Sequence, residues 1–271
     1  RDDLRRSEEL CRALGWEPIL GAHAGEAYGY LAGNDTQRVT DLNAALAEPS
    51  LDAVWCLRGG YGLTRILDRI DYDALAARPK VVLGFSDVTA LLLALHARTG
   101  VVTMHGPVAR LGLTAFSRTH LERVVGDGGA APILDPVAPT TGVTVPRAGR
   151  VVPVREGVAE GRLVGGNFTL LQHLIGTPWL PSLDGAILFL EDVGEPLYSI
   201  DRMLSHLRLA GLLDRIAGVA IGHFTEMKRQ VGDGALGLDR VLEDYFGPLK
   251  IPVAHGFPIG HIDDHWTLPI G

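Results

Sequence analysis

Lys80-Val81-Val82-Leu83-Gly84-Phe85-Ser86-Asp87-Val88-Thr89 is the stretch on which the reading of the fold turns. An apolar run of strand length, Lys80 to Phe85, passes at once into a helical pattern from Asp87 to Arg98. Such an abrupt junction marks a βα unit. Its neighbours repeat the pattern. Upstream, Leu51 to Leu57 reads as a buried strand ending at Arg58-Gly59-Gly60-Tyr61-Gly62, and downstream Val101 to Met104 reads as a further strand. Before them, Ser7 to Leu14 reads as a helix closed by Gly15 and Glu17 to Leu20 as a short strand, and Asp35 can cap a helix through Leu46 with Val39, Leu42 and Leu46 on one face. Strands separated by helices imply a parallel sheet, so the fold class is α/β.

From about Gly126 to Arg150 the texture changes to Gly, Pro, Thr and Val without a helical period. This divides the chain into an N-terminal domain over 1–127, a linker over 128–150 and a C-terminal domain over 151–271. The second half is also mixed. Strand-like Val151 to Val154 and a glycine turn at Gly165-Gly166 precede a helix from Asn167 to Ile175. Ala186 to Leu190, Ala217 to Ile221 and Ile251 to Ala254 read as strands. Ser199 to Ala210 is amphipathic, with Ile200, Met203, Leu204 and Leu207 on the buried face, and Leu238 to Phe246 is another helix.

Composition sets the bounds. The chain has 271 residues, 46% hydrophobic and 21% charged, which suits a globular protein with a proper core. Its net charge of −7 argues against non-specific binding to nucleic acid or anionic membrane. No apolar run reaches the ~18 residues of a membrane-spanning helix. Cys11 and Cys56 cannot make a disulfide scaffold or a four-cysteine zinc site, so a reduced, cytoplasmic setting is the simplest expectation. No signal peptide is visible. The chain opens on Arg1-Asp2-Asp3-Leu4 without an initiator Met, which suggests a trimmed start.

Several residues could carry chemistry. A serine at a strand-to-helix junction sits at the tip of a tight turn beside the helix N–H groups, which favour a developing oxyanion. Ser86 therefore fits a nucleophile, although Val88 replaces the second glycine of G-x-S-x-G; a helix cap fits it as well. The glycines after Arg58 let backbone approach a ligand and could supply an oxyanion-hole N–H, or they could merely make a tight turn. The segment lacks G-K-[ST], so a phosphate-binding P-loop is disfavoured. Glu191, directly after an apolar strand, could orient a histidine or form a solvated acidic pair with Asp192. His261, in the stiff loop Gly256-Phe257-Pro258-Ile259-Gly260-His261, could be a general base, in competition with nine other histidines. His261-Ile262-Asp263-Asp264-His265 could alternatively hold a metal. The favoured reading has no metal and no cofactor, with His265 and the aspartates on a solvated rim.

Taken together, these segments resemble the LD-carboxypeptidase family of serine peptidases, which includes the microcin-immunity peptidases. The resemblance rests on Ala32-Gly33-Asn34-Asp35 with Arg38 and Asp41-Leu42-Asn43, Arg58-Gly59-Gly60-Tyr61-Gly62, Gly84-Phe85-Ser86-Asp87-Val88-Thr89 and His105-Gly106-Pro107. It continues through Gly165-Gly166-Asn167, Gly176-Thr177-Pro178, Leu190-Glu191-Asp192-Val193-Gly194-Glu195, Ile200-Asp201-Arg202-Met203-Leu204 and Gly256-Phe257-Pro258-Ile259-Gly260-His261. Each piece is weak alone, and their order along nearly the whole chain is specific. The resemblance implies two α/β domains with the active site in the cleft between them. It implies Ser86 as nucleophile, Glu191 as triad acid and His261 as triad base. The oxyanion hole would use the N–H of Asp87 and one from Gly59 or Gly60. Arg58 and Tyr61 are candidates for substrate contact; a carboxypeptidase needs a cation for the terminal carboxylate, and several arginines could serve. The substrate implied is the tetrapeptide stem of murein fragments, losing a terminal D-Ala; the alternative is a peptidyl-nucleotide antibiotic, for which Trp179 could stack on a base. A homodimer is also implied. Against the family pattern a leading strand is missing, and the chain stops soon after Leu268-Pro269-Ile270-Gly271.

Overall fold

The computed structural model describes residues 2–126, 151–227 and 236–271, so the expected linker at 128–150 lies outside the described residues. In chain order the elements are α1 (Asp2–Ala13), α2 (Asp35–Ala47), β1 (Ala53–Trp55), α3 (Tyr72–Ala77), β2 (Val81–Gly84), α4 (Val88–Thr99), β3 (Thr103–His105) and α5 (Ala115–Leu121). There follow β4 (Val152–Arg155), β5 (Leu163–Asn167), α6 (Phe168–Leu174), β6 (Ile187–Val193), α7 (Leu197–Leu209), β7 (Gly218–Thr225), α8 (Leu238–Phe246), β8 (Val253–His255) and β9 (Leu268–Ile270). They form two sheets. One has the order β1-β2-β3-β9, the other β4-β8-β7-β6-β5. β1 to β3 are mutually parallel, as are β5 to β8, while β9 and β4 pair antiparallel at one edge of each sheet. The chain thus adopts the expected α/β class, with the expected parallel sheet in the first half, and in the mixed second half β5 to β8 are parallel as well. The last strand, β9, returns to the first sheet and pairs with β3.

Helix α4 sits between the sheets. Every residue from Val88 to His96 is buried, and the helix packs against β2, β3 and β9 on one side and β5 and α6 on the other. A helix apolar on all faces is stable only in such a position. β5 reaches α4 closely because of Gly166: its φ is +131°, and a Cβ there would lie 2.6 Å from Thr89 Oγ1. Gly165-Gly166 is therefore inside β5, not the turn expected from its glycines. The flanking Leu163, Val164 and Asn167 pair in register with β6, which carries the strand through both glycines.

Two further expectations need correction. Glu17 to Leu20 is not a strand; Ile19 and Leu20 are exposed, and the segment pairs with no strand of the described residues. The α2 cap is Asn34, not Asp35. Asn34 and Gln37 form a reciprocal capping box, which frees Asp35 in the first turn to bind Arg38 and Arg65. The face formed by Val39, Leu42 and Leu46 does pack on the core, as does the face of α7.

The buried histidines include His105, at the end of β3, and His265. His265 was expected on a solvated rim. Instead it is 4% exposed and lies against Phe85, with ring centroids 5.1 Å apart. Burial, reinforced by neighbouring histidines, holds the His105 pKa down at about 3 and that of His265 at about 4. Both rings are neutral when folded.

These features generate two predictions. The unfolded chain takes up protons at histidine below pH ~6.5, whereas folded His105 and His265 do not. Stability should therefore be complete above that pH and fall as pH drops toward 4, by up to about 1.4 kcal/mol per pH unit for each histidine. Urea unfolding at several pH values reads this slope, and His105→Phe should remove part of it. Gly166→Ala should lower the urea midpoint by the equivalent of about 1–3 kcal/mol, because it combines a disfavoured φ with a clash against Thr89.

Candidate active site

The chain just beyond β2 and the C-terminal half of β6 meet at His261, at the strand ends where ligands bind in α/β folds. From the first sheet comes Ser86, one residue beyond Phe85 at the end of β2. Its φ is +64°, a left-handed conformation that is costly for a residue with a side chain. The strain turns the chain sharply from β2 into α4 and carries the Ser86 hydroxyl outward. Ser86 does not cap α4. Asp87 occupies the cap position, and the Ser86 Oγ lies 3.0 Å from His261 Nε2.

The second sheet supplies the other two residues. Glu191 lies in β6 where the ladder to β7 slips register between Leu190 and Asp192. Irregularities of this kind re-aim side chains beside functional sites. Its Oε2 lies 2.8 Å from His261 Nδ1. The loop that carries His261 is fastened to β7: Phe257 N–H donates to the Ile221 carbonyl (3.1 Å) and His223 N–H donates to the Ile259 carbonyl (2.9 Å). Phe85 closes one side of the imidazole, with ring centroids 4.8 Å apart. The three residues singled out from sequence thus form one continuous hydrogen-bond chain across both sheets. A carboxylate only accepts, so Nδ1 carries the proton and Nε2 is left to accept from the Ser86 hydroxyl.

Glu191 is fully buried and His261 mostly so. Burial pushes the Glu191 carboxyl up, and the bond to His261 opposes this. Burial alone would lower the His261 pKa. The hydrogen bond and negative charge of Glu191, with Asp192 and Glu226 behind them, outweigh it and raise the pKa above the ordinary value.

The glycine turn abuts the serine. A Cβ on Gly59 would lie 2.7 Å from Ser86 Cβ, so only glycine permits this approach. The turn is braced from two directions. The buried Asp87 carboxylate accepts from Leu63 N–H (3.0 Å), and Arg38, itself paired with Asp35 at 2.6 Å, donates to the Gly62 carbonyl (3.1 Å). None of the N–H groups of Gly59, Gly60 and Asp87 is spent on a hydrogen bond within the described residues. They are available to a negative oxygen formed beside Ser86. Arg58 and Tyr61 lie on the exposed rim of this turn.

Sequence reading did not single out a buried polar network that joins the sheets. Asn167 N–H donates to Thr89 Oγ1 (3.0 Å), and Asn167 Nδ2 donates to Asp192 Oδ1 (2.9 Å). Asp192 Oδ2 in turn accepts from the Thr169 N–H (2.9 Å) and hydroxyl (2.8 Å). Asp192 is therefore a buried structural acid, not half of a solvated pair. A threonine in the first turn of an otherwise apolar helix was the available signal. The candidate metal segment is dispersed. His261 faces Ser86 and Glu191, His265 points into the core, and Asp264 accepts from Thr114 (2.5 Å). Among the described residues no group of three or more His, Cys, Asp or Glu is arranged to hold a metal. Trp179 is half-buried and packs against the core.

Comparison with known proteins agrees with this architecture. Residues 1–106 match the LD-carboxypeptidase N-terminal domain and residues 160–271 the LD-carboxypeptidase C-terminal domain. The murein tetrapeptide carboxypeptidase of Pseudomonas aeruginosa is 37% identical over 257 residues, covering 93% of this chain and 81% of that one. The crystal structure of muramoyltetrapeptide carboxypeptidase from Oxalobacter formigenes superposes with a TM-score of 0.81 at 32% identity, covering 100% of this chain and 89% of that one. The microcin C7 self-immunity protein of Escherichia coli is more distant, 27% identical over 98% of this chain and 83% of its own length. With both domains matched and the fold shared throughout, the chain belongs to the LD-carboxypeptidase family.

Proposed function

We propose that this protein is a serine-type carboxypeptidase that releases the terminal D-Ala from murein tetrapeptides. The observation that carries the reading is the unbroken chain from the Ser86 hydroxyl through His261 to buried Glu191. In the proposed mechanism, Ser86 Oγ attacks the carbonyl before the terminal residue while its proton passes to His261 Nε2. The negative oxygen of the tetrahedral intermediate takes the N–H of Asp87 and one from Gly59 or Gly60. His261 then gives its proton to the leaving amine, the C–N bond breaks, and D-Ala departs, leaving an ester on Ser86. Water attacks that ester with His261 again as base, which frees the tripeptide acid and restores the hydroxyl. Glu191 holds the productive tautomer and stabilises the imidazolium between steps. Arg58, exposed on this turn and paired with no carboxylate among the described residues, is the candidate for the substrate's terminal carboxylate.

The murein reading is supported over the peptidyl-nucleotide one by the higher sequence identity to carboxypeptidases and by the packing of Trp179, whose half-buried ring is engaged with the core. A cytoplasmic setting and a homodimer belong to the same proposal.

Incubation with a muramoyl tetrapeptide should liberate D-Ala, and Ser86→Ala should reduce the rate on the order of 10³-fold or more. Wild-type turnover in that variant would exclude Ser86 as nucleophile. The pH profile tests Glu191. His261 must be neutral to act as base, so kcat/KM should fall as pH drops through its raised pKa. Glu191→Gln removes the charge that raises it. The acid limb should move to lower pH while the plateau falls, by roughly 10³–10⁴-fold. An unmoved limb would show that Glu191 does not set the state of His261.

A further inference from the structure

Beside the glycine turn stands a pair of aromatic rings that the hydrolytic steps do not use. Tyr30 is 79% exposed and Tyr61 54% exposed, and their ring centroids are 5.9 Å apart at an interplanar angle of 51°. Exposed tyrosines are ordinary when scattered and loose. These two are neither. Tyr30 sits in a tight turn closed by reciprocal backbone hydrogen bonds between Tyr28 and Leu31 (2.9 and 3.0 Å). Leu31 is buried and packs against Gly62, so the turn that presents Tyr30 is anchored to the turn that presents Tyr61. The latter is the turn that abuts Ser86 and is braced by Asp87 and Arg38. Arg65, held by Asp35 through three contacts of 2.7–3.2 Å, follows Tyr61 by four residues at the end of the short helical turn Leu63–Arg65. The rings are thus exposed yet mounted rigidly, which limits the ordering cost of binding.

We propose that Tyr30 and Tyr61 form the subsite for the saccharide end of the substrate, taking the amino-sugar ring of the muramoyl group. The assignment rests on the murein reading above. A pyranose presents a face of C–H bonds that packs on an aromatic ring, and its hydroxyl and acetamido groups suit the phenol hydroxyls and the neighbouring guanidinium. The lengths agree. Cleavage before the last residue of a tetrapeptide leaves three residues between the reacting carbonyl and the sugar, about 10–11 Å of extended chain. Tyr61 is two residues along the turn from Gly59, at most about 7 Å of chain. The Tyr30 ring lies 5.9 Å from that of Tyr61. A peptide running along this turn from Ser86 is long enough to place its sugar at the tyrosine pair.

The test compares two substrates on the full chain: a muramoyl tetrapeptide and the same tetrapeptide without the sugar. D-Ala release gives kcat and KM for each. Wild-type protein should favour the muramoyl substrate through a lower KM. Tyr30→Ala should reduce the ratio of the two kcat/KM values about tenfold, toward one, with the change confined to KM. Tyr30→Phe, which keeps the ring, should retain most of the preference. Equal kinetics of the wild type on both substrates would overturn the subsite. So would a Tyr30→Ala variant that keeps the ratio, or one whose only change is in self-association by sedimentation. If the wild type releases no D-Ala from either substrate, the murein reading fails, and the subsite with it. Release from both without preference defeats the subsite alone.

Discussion

The contact between α4 and β5 is the constraint on which the site depends. Ser86 belongs to the first sheet, and Glu191 and His261 belong to the second. Neither half holds a complete hydrogen-bond chain. The two are brought into register by a helix buried on every side, where Gly166 lets the strand approach and Thr89 accepts the Asn167 N–H at 3.0 Å. A buried N–H left without a partner costs about 1–3 kcal/mol, so this bond penalises sliding of α4 along β5. Ser86 lies three residues before Thr89 at the start of the same helix, and Asn167 pairs in register with Glu191. Any slip at the contact would be passed directly to the distance between the hydroxyl and the imidazole.

The energetics of the site follow from that rigidity. Ser86 stores backbone strain of about 1–3 kcal/mol in its left-handed conformation. Glu191 is fully buried, and removing one partner of a buried charged pair typically costs about 3–5 kcal/mol. The loop carrying His261 is therefore held by the charge it serves as well as by its backbone bonds to β7. Asp192, one residue on, could have been a second buried charge working against Glu191. It is instead satisfied by Asn167 and by both donors of Thr169. The network that aligns the sheets thus also offsets the cost of burying the adjacent acid, and Glu191 is the acid in direct contact with the imidazole.

Much of this was legible in the sequence because the signals were local. The passage from Val81-Val82-Leu83-Gly84 into an apolar helix exposed the βα junction, and the Gly-Pro loop before His261 marked a stiff mount. The errors arose where tertiary partners decide. Ile19 and Leu20 have strand-like side chains, but both are exposed and their segment pairs with no strand among the described residues. Gly165-Gly166 has turn chemistry, but pairing with β6 continues through it because helix packing requires the small residue. His265 lies between charged and apolar neighbours, and only the position of Phe85 shows that it is inside. The role of Thr89 was signalled only by its polarity in an apolar helix, and that of Asn167 not at all, since their bond joins residues 78 apart in the chain.

The site divides into a part that cannot vary and a part that can. Ser86, Glu191 and His261 are set by strand ends, a buried helix and a closed network, so a change at any of them is transmitted to the others. Tyr30, Tyr61, Arg58 and Arg65 stand on surface turns, where a side chain can change without disturbing the core. Members of one family can therefore share the hydrolytic centre and differ in what they hold beside it. The likeness of this chain both to murein carboxypeptidases and, more distantly, to a microcin self-immunity protein is what such a division produces. On this view the turn from Arg58 to Gly62 is the hinge between chemistry and selectivity. Its Gly59 abuts Ser86, while Arg58 and Tyr61 are exposed, so in the proposed reaction one backbone turn serves both the chemistry and the choice of substrate.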